Sequence, residues 1–123
     1  MRIGFIGAGN MSGAIIKGII SSGIVKKEDV FASDKFLPTL EKVKTNYGIN
    51  ITEDNKEVVE KCDVIFLAVK PQFYSEVIKE ISPFVKATTT VVTIAPGQTL
   101  KNLEVAFGKE IKIVRTMPNT PAM

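Results

Sequence analysis

The sequence contains no histidine and no tryptophan, and its one cysteine is Cys62. Without an imidazole, every mechanism that draws its base, acid or metal ligand from histidine is excluded for this chain. A lone cysteine cannot close an internal disulfide, and there is no Cys/His set for a structural zinc. Long hydrophobic runs are missing too. The longest, Val64 to Val69, is far too short to span a bilayer. The N-terminus passes from Arg2 into a short apolar stretch ending at Gly7, with no h-region or cleavage site of a secretory signal. A cytoplasmic protein with no membrane partner is the expectation. Charge of one sign is scarce as well: 16 basic and 13 acidic residues leave a net charge of +3, and the two kinds are interspersed, as in Lys26-Lys27-Glu28-Asp29. That mixture argues against the one-sided basic face of a nucleic-acid binder.

What is present is ordinary globular material. Of 123 residues, 45% are hydrophobic, enough for one packed domain and too much for a disordered chain. Apolar runs of strand length alternate with segments of helical period. Ile3, Phe5 and Ile6 form a first strand, and Met11, Ala14, Ile15, Gly18 and Ile19 recur at helical spacing after it. Val30 to Ala32 make a second strand. Leu37 to Tyr47 reads as a helix with Leu40 and Val43 inward, and Ile49 and Ile51 as a short third strand. Asn55 to Lys61 is a short helix, with Val58 and Val59 facing the core. Val64 to Val69 is the clearest strand. Phe73, Val77, Ile78 and Ile81 follow on a helix whose last turn Pro83 marks. Thr90 to Ile94 is β-branched. Leu100, Leu103 and Phe107 share a helix ending at Gly108, and Ile111, Ile113 and Val114 close a sixth strand. Strands that are apolar on both faces and alternate with helices predict an α/β fold, a doubly wound, parallel, six-stranded sheet of the Rossmann dinucleotide-binding type.

The turn Gly7-Ala8-Gly9-Asn10-Met11-Ser12 joins the first strand to the first helix. In a dinucleotide fold the first glycine allows the tight turn and the second admits the pyrophosphate. A third small residue lets helix and strand pack closely, and the helix N-terminus faces the phosphates. Ser12 holds the third place, where Gly or Ala is usual. Ser33, Asp34 and Lys35 end the second strand, where the adenosine ribose is read. A carboxylate at Asp34 would favour NAD. Lys35 with the Ser33 hydroxyl would favour the 2′-phosphate of NADP, and Asp34 capping the next helix is the third reading. Ala68-Val69-Lys70-Pro71 and Ile94-Ala95-Pro96-Gly97 end the fourth and fifth strands and would flank the ribose and nicotinamide. A surface lysine and a helix-starting proline explain Lys70 and Pro71 equally well. Met117-Pro118-Asn119-Thr120-Pro121 presents Asn119 and Thr120 on a backbone fixed by two prolines. Cys62, with no base beside it, reads as a packed, inert thiol.

Three segments in this order identify a resemblance: Ile3-Gly4-Phe5-Ile6-Gly7-Ala8-Gly9-Asn10-Met11, Leu67-Ala68-Val69-Lys70-Pro71 and Met117-Pro118-Asn119-Thr120-Pro121-Ala122. Together they resemble pyrroline-5-carboxylate reductase, along the whole chain. The resemblance implies NAD(P)H-dependent reduction of 1-pyrroline-5-carboxylate to L-proline, with NADP(H) favoured over NAD(H). It implies that Ile6, Gly7, Ala8, Gly9, Asn10 and Met11 hold the pyrophosphate and that Ser33, Asp34 and Lys35 sit by the adenosine ribose. Asn55 matches a cofactor-contacting asparagine. Ala68, Val69, Lys70, Pro71, Ile94, Ala95 and Pro96 would line the ribose and nicotinamide, and Asn119 would lie near the reaction centre. Pro96 departs from the family's Ala-Ala-Gly and lacks an N–H. The resemblance also implies a further helical domain that makes a homo-oligomer and completes the substrate site. Residues 1–123 then read as the dinucleotide-binding domain alone, cut after its sixth strand and poorly active by itself. A β-hydroxyacid dehydrogenase-like enzyme, a deazaflavin-dependent NADP reductase and a non-catalytic nucleotide sensor share the glycine turn and stand as alternatives.

Overall fold

A computed structural model describes residues 1–93 and the backbone of residues 112–115. Six parallel strands form one sheet: β1 (Ile3–Ile6), β2 (Val30–Ser33), β3 (Asn50–Thr52), β4 (Val64–Leu67), β5 (Thr90–Thr93) and β6 (Lys112–Arg115). Their order across the sheet is β3-β2-β1-β4-β5-β6. The chain winds outward from β1 to β3, returns, and winds the other way from β4. The switch point therefore lies between β1 and β4, where crevices open at the carboxyl ends of the strands. The helices are α1 (Asn10–Ser21), α2 (Leu37–Tyr47), α3 (Asn55–Lys61) and α4 (Tyr74–Ile81).

Strand alternation splits the core into two layers. Ile3 and Phe5 pack with Ile16, Val30, Ala32, Leu40 and Val43 under α1 and α2. Ile6 packs with Val58, Val59, Ile65, Leu67, Val77, Ile78 and Ile81 under α3 and α4. Across the central pair, Phe5 and Phe66 are in register and their rings stack at 4.7 Å. Gly4 faces α3: a Cβ there would run into Val58 and stand 2.9 Å from the Cys62 Sγ. The absent side chain is what lets α3 lie this close to β1.

Three local expectations are corrected. β4 ends at Leu67, not Val69. There the Leu67 carbonyl accepts a 2.9 Å hydrogen bond from the Tyr74 hydroxyl, and the chain turns away. Phe73 is not a core residue: Pro71–Phe73 forms a 3-10 turn, which shifts the helical phase so that Tyr74 is buried and Phe73 is 47% exposed. Asp34 does not cap α2. The N-cap is Phe36, and no side chain caps it. The expected Pro83 turn is a 3-10 turn, Ser82–Phe84, directly after α4. The expected helix from Leu100 to Gly108 lies outside the described residues. No helix among the described residues is long and apolar enough to cross a membrane.

Candidate dinucleotide site

The site begins at the glycine turn. Gly7 has φ +100°, a region that side chains other than glycine rarely adopt. A Cβ there would also stand 2.8 Å from the Ala68 carbonyl oxygen, so the turns after β1 and β4 can touch only through a glycine. Gly9 is the opposite case: a Cβ built on it meets nothing within 4 Å. Its open side is the approach a pyrophosphate requires. Ser12, the unusual third residue, is fully buried and donates its hydroxyl to the Gly7 carbonyl. The substitution is thereby accommodated, with its polar atom satisfied inside the turn.

α1 starts without a side-chain cap. Its first N–H groups have no intrahelical acceptor and point out beside Gly9. α3 makes the contrast. Asp54 caps it, accepting from the Lys56 N–H at 3.0 Å. One helix has its N-terminus closed by its own carboxylate. The other leaves donors and the positive end of its dipole open to an anion.

Asp34 ties the turn to β2. Its Oδ2 accepts from the Ala8 N–H at 2.9 Å and its Oδ1 from the Phe36 N–H at 3.0 Å. Alongside, the Gly7 N–H donates to the Ser33 carbonyl at 2.8 Å. Ser33 is fully buried and its hydroxyl donates to the Asn55 Oδ1 at 2.6 Å. The Ser33 hydroxyl therefore holds Asn55 in place and offers no free donor at the surface. Asn55 is only 7% exposed, and its amide NH2 meets no acceptor among the described residues. With its oxygen held by Ser33, the amide keeps its NH2 at the cavity wall as a donor that a ligand can use.

A cavity of about 360 Å³ lies over the ends of β1, β2 and β4, lined by Gly7, Ser33, Asp34, Lys35, Asn55 and Val69, by Phe73 of the 3-10 turn, and by Glu76 and Val77 of α4. Lys35 and Glu76 face each other across it at 3.8 Å. A second hollow of about 440 Å³ runs from Ala8, Gly9, Asn10 and Gly13 to Pro38, Thr39, Lys42, Asn46 and Tyr47 on α2. The structure thus brings Gly7, Ser33, Asp34, Lys35, Asn55 and Val69 together, with Ala8, Gly9 and Asn10 at the adjoining hollow. Met11 and Lys70 are exposed nearby in the chain, and Pro71 opens the 3-10 turn, as its alternative reading required. Ile94, Ala95, Pro96 and Asn119 lie outside the described residues. Sequence reasoning missed Phe73, Glu76 and the α2 residues Thr39, Lys42 and Asn46, and no local signal marks them. Cys62 is buried at the C-terminal end of α3, away from the cavity lining, and burial pushes its thiol up to about 12, consistent with an inert role.

Residues 2–97 match the family described as NADP oxidoreductase, coenzyme F420-dependent. The chain is 42% identical over 125 residues to pyrroline-5-carboxylate reductase of Escherichia coli, covering 99% of this chain and 45% of that protein. Among solved structures it is similar to a pyrroline-5-carboxylate reductase from Coxiella burnetii (TM-score 0.91, 36% identity, 98% of this chain and 44% of that one). It is also similar to pyrroline carboxylate reductase of Plasmodium falciparum with NADP bound (TM-score 0.84, 35% identity, 98% of this chain and 43% of that one). The chain spans about 45% of the length of the curated relatives it matches.

Proposed function

The chain belongs to the family described as NADP oxidoreductase, coenzyme F420-dependent, and we propose that within it this chain is the cofactor-holding part of a pyrroline-5-carboxylate reductase. The reaction is the reduction of 1-pyrroline-5-carboxylate to L-proline, the last step of proline biosynthesis. One observation carries the choice: the family match ends at residue 97, whereas the match to the reductases covers 99% of the chain and so reaches the Met117-Pro118-Asn119-Thr120-Pro121 segment. That segment is what sets the chain apart from other dinucleotide domains.

NAD(P)H supplies the hydride, and the residues of this chain bind and orient it. The open N–H groups of α1 and the bare face of Gly9 hold the pyrophosphate. The Asn55 amide and the apolar wall of Phe73 and Val77 take the adenosine. Ala68 to Pro71 and Ile94 to Pro96 line the ribose and nicotinamide, and Asn119 positions the substrate end. Orientation of this kind can supply about 7–11 kcal/mol of a barrier, which suits a chain without histidine. NADP(H) is favoured over NAD(H). The whole protein is a cytoplasmic homo-oligomer that pairs through a further helical domain, and residues 1–123 alone bind cofactor but turn over poorly.

Calorimetric titration with NADPH and NADH tests the cofactor role, and binding of neither overturns it. In the full-length protein, Asn119→Ala should lower the rate or the affinity for 1-pyrroline-5-carboxylate; a nucleotide sensor would be indifferent. The family's description favours one second reading, a deazaflavin-dependent NADP reductase. NADPH oxidation supported by coenzyme F420 and not by 1-pyrroline-5-carboxylate would establish that reading instead.

A further inference from the structure

We propose that Glu76 competes with the 2′-phosphate of NADP for the Lys35 ammonium, so that the Lys35–Glu76 pair sets the balance between the two cofactors. The inference rests on the dinucleotide reading of the site and adds a specificity-determining residue on α4 that the sequence did not point to. The charged groups lining the 360 Å³ cavity are Asp34, Lys35 and Glu76. Asp34 already accepts one backbone N–H on each oxygen, from Ala8 and Phe36. Its charge is directed into the glycine turn and the start of α2. The charge that remains adjustable at the end of β2 is Lys35, and its partner is Glu76.

The pair is loose. Its separation is 3.8 Å and its side chains are 75% and 68% exposed. Exposed pairs of this kind hold their partners weakly and are screened by salt. A 2′-phosphate brings close to two negative charges and several strong acceptor oxygens. It would draw Lys35 away and leave the Glu76 carboxylate as a like charge at the rim of the same cavity. A 2′-hydroxyl makes no such demand. It is neutral, leaves the Lys35–Glu76 pair intact, and can donate to a carboxylate. Glu76 therefore works against NADPH and is neutral or favourable toward NADH.

The test is calorimetric titration of the chain and its variants with NADPH and NADH at one fixed, low salt concentration. Glu76→Gln keeps the shape of the side chain, and a side chain 68% exposed at the cavity rim tolerates the change without loss of folding. It should tighten NADPH roughly two- to fivefold, the scale of one exposed charge contact, and leave NADH unchanged or weaker. Lys35→Met should weaken NADPH by about tenfold or more while NADH is retained. Raising the salt should shrink the effect of Glu76→Gln. Equal shifts for both cofactors, or no shift in Glu76→Gln while both cofactors still bind, would overturn the proposal and leave the dinucleotide reading standing. Binding of neither cofactor by the unaltered chain would overturn both.

Discussion

Replacing Asp34 with alanine separates two roles that its position alone cannot. In the structure its carboxylate is a clamp, with Oδ2 on the Ala8 N–H at 2.9 Å and Oδ1 on the Phe36 N–H at 3.0 Å. The two bonds are unequal. Ala8 is 2% exposed, so loss of its acceptor strands a buried donor, which costs about 1–3 kcal/mol. Phe36 is 64% exposed, so water replaces its acceptor at a cost of a few tenths. Asp34→Ala should therefore lose about 2 kcal/mol of stability. Asp34→Asn keeps one oxygen but turns the other position into a donor, and should lose about half as much. Urea denaturation reads this directly. With a slope of about 1.5 kcal/mol per molar for a small domain, the midpoint falls by about 1.3 M for alanine and roughly half that for asparagine. A ribose reader without a structural role would leave the midpoint in place and weaken NADH alone. Unchanged midpoints in both variants would refute the clamp.

The two glycines of the turn should part company. Gly7→Ala, forced to φ +100° and against the Ala68 carbonyl, should lose about 3 kcal/mol or more in the same denaturation assay. Gly9→Ala, whose Cβ enters open space, should stay within about 1 kcal/mol of the parent yet bind cofactor at least about tenfold more weakly by calorimetry. Asp54→Ala uncaps α3 and should cost about 1 kcal/mol; since Asn55 is the first residue of that helix, cofactor affinity should fall with it. Burial, with a smaller push from Asp63, raises the Cys62 thiol from 9.0 to about 12. Above pH 9 the unfolded chain releases this proton while the folded one keeps it, so stability should fall between pH 9 and 12 by up to about 1.4 kcal/mol per pH unit. Cys62→Ala should flatten that part of the pH–stability curve, and an unchanged slope would refute the assignment.

Much of the architecture is legible because a parallel sheet buried on both faces leaves continuous apolar runs such as Val64 to Leu67, and because Gly7 and Gly9 stand between a strand and a helix. Asn55 could be located through a resemblance, but nothing in its neighbours announces that Ser33, 22 residues earlier, holds its carbonyl. In the sequence Asp34 is an acceptor at a strand end that can read a ribose or cap a helix; its clamp on the turn is decided by where the Ala8 and Phe36 N–H groups fall. Phe73 and Tyr74 exchange places because one 3-10 turn changes the rise and phase by which periodicity is counted. Glu76 reaches the cavity only through the packing of α4 on the sheet, a long-range fact with no trace in local sequence.

The glycine turn is held from several directions before any ligand arrives: Gly7 N–H to Ser33, Ala8 N–H to Asp34, Ser12 hydroxyl to the Gly7 carbonyl, and Ala68 N–H to Ile6. Fixing one residue's backbone costs about 1–2 kcal/mol in conformational entropy. For residues 7 to 10 that is about 4–8 kcal/mol, a factor of roughly a thousand to nearly a million in affinity if it had to be met on binding. Here the loss occurs when the chain folds. A cofactor meets a turn that is already ordered, and its own contacts go into affinity with little spent on arranging the protein around it.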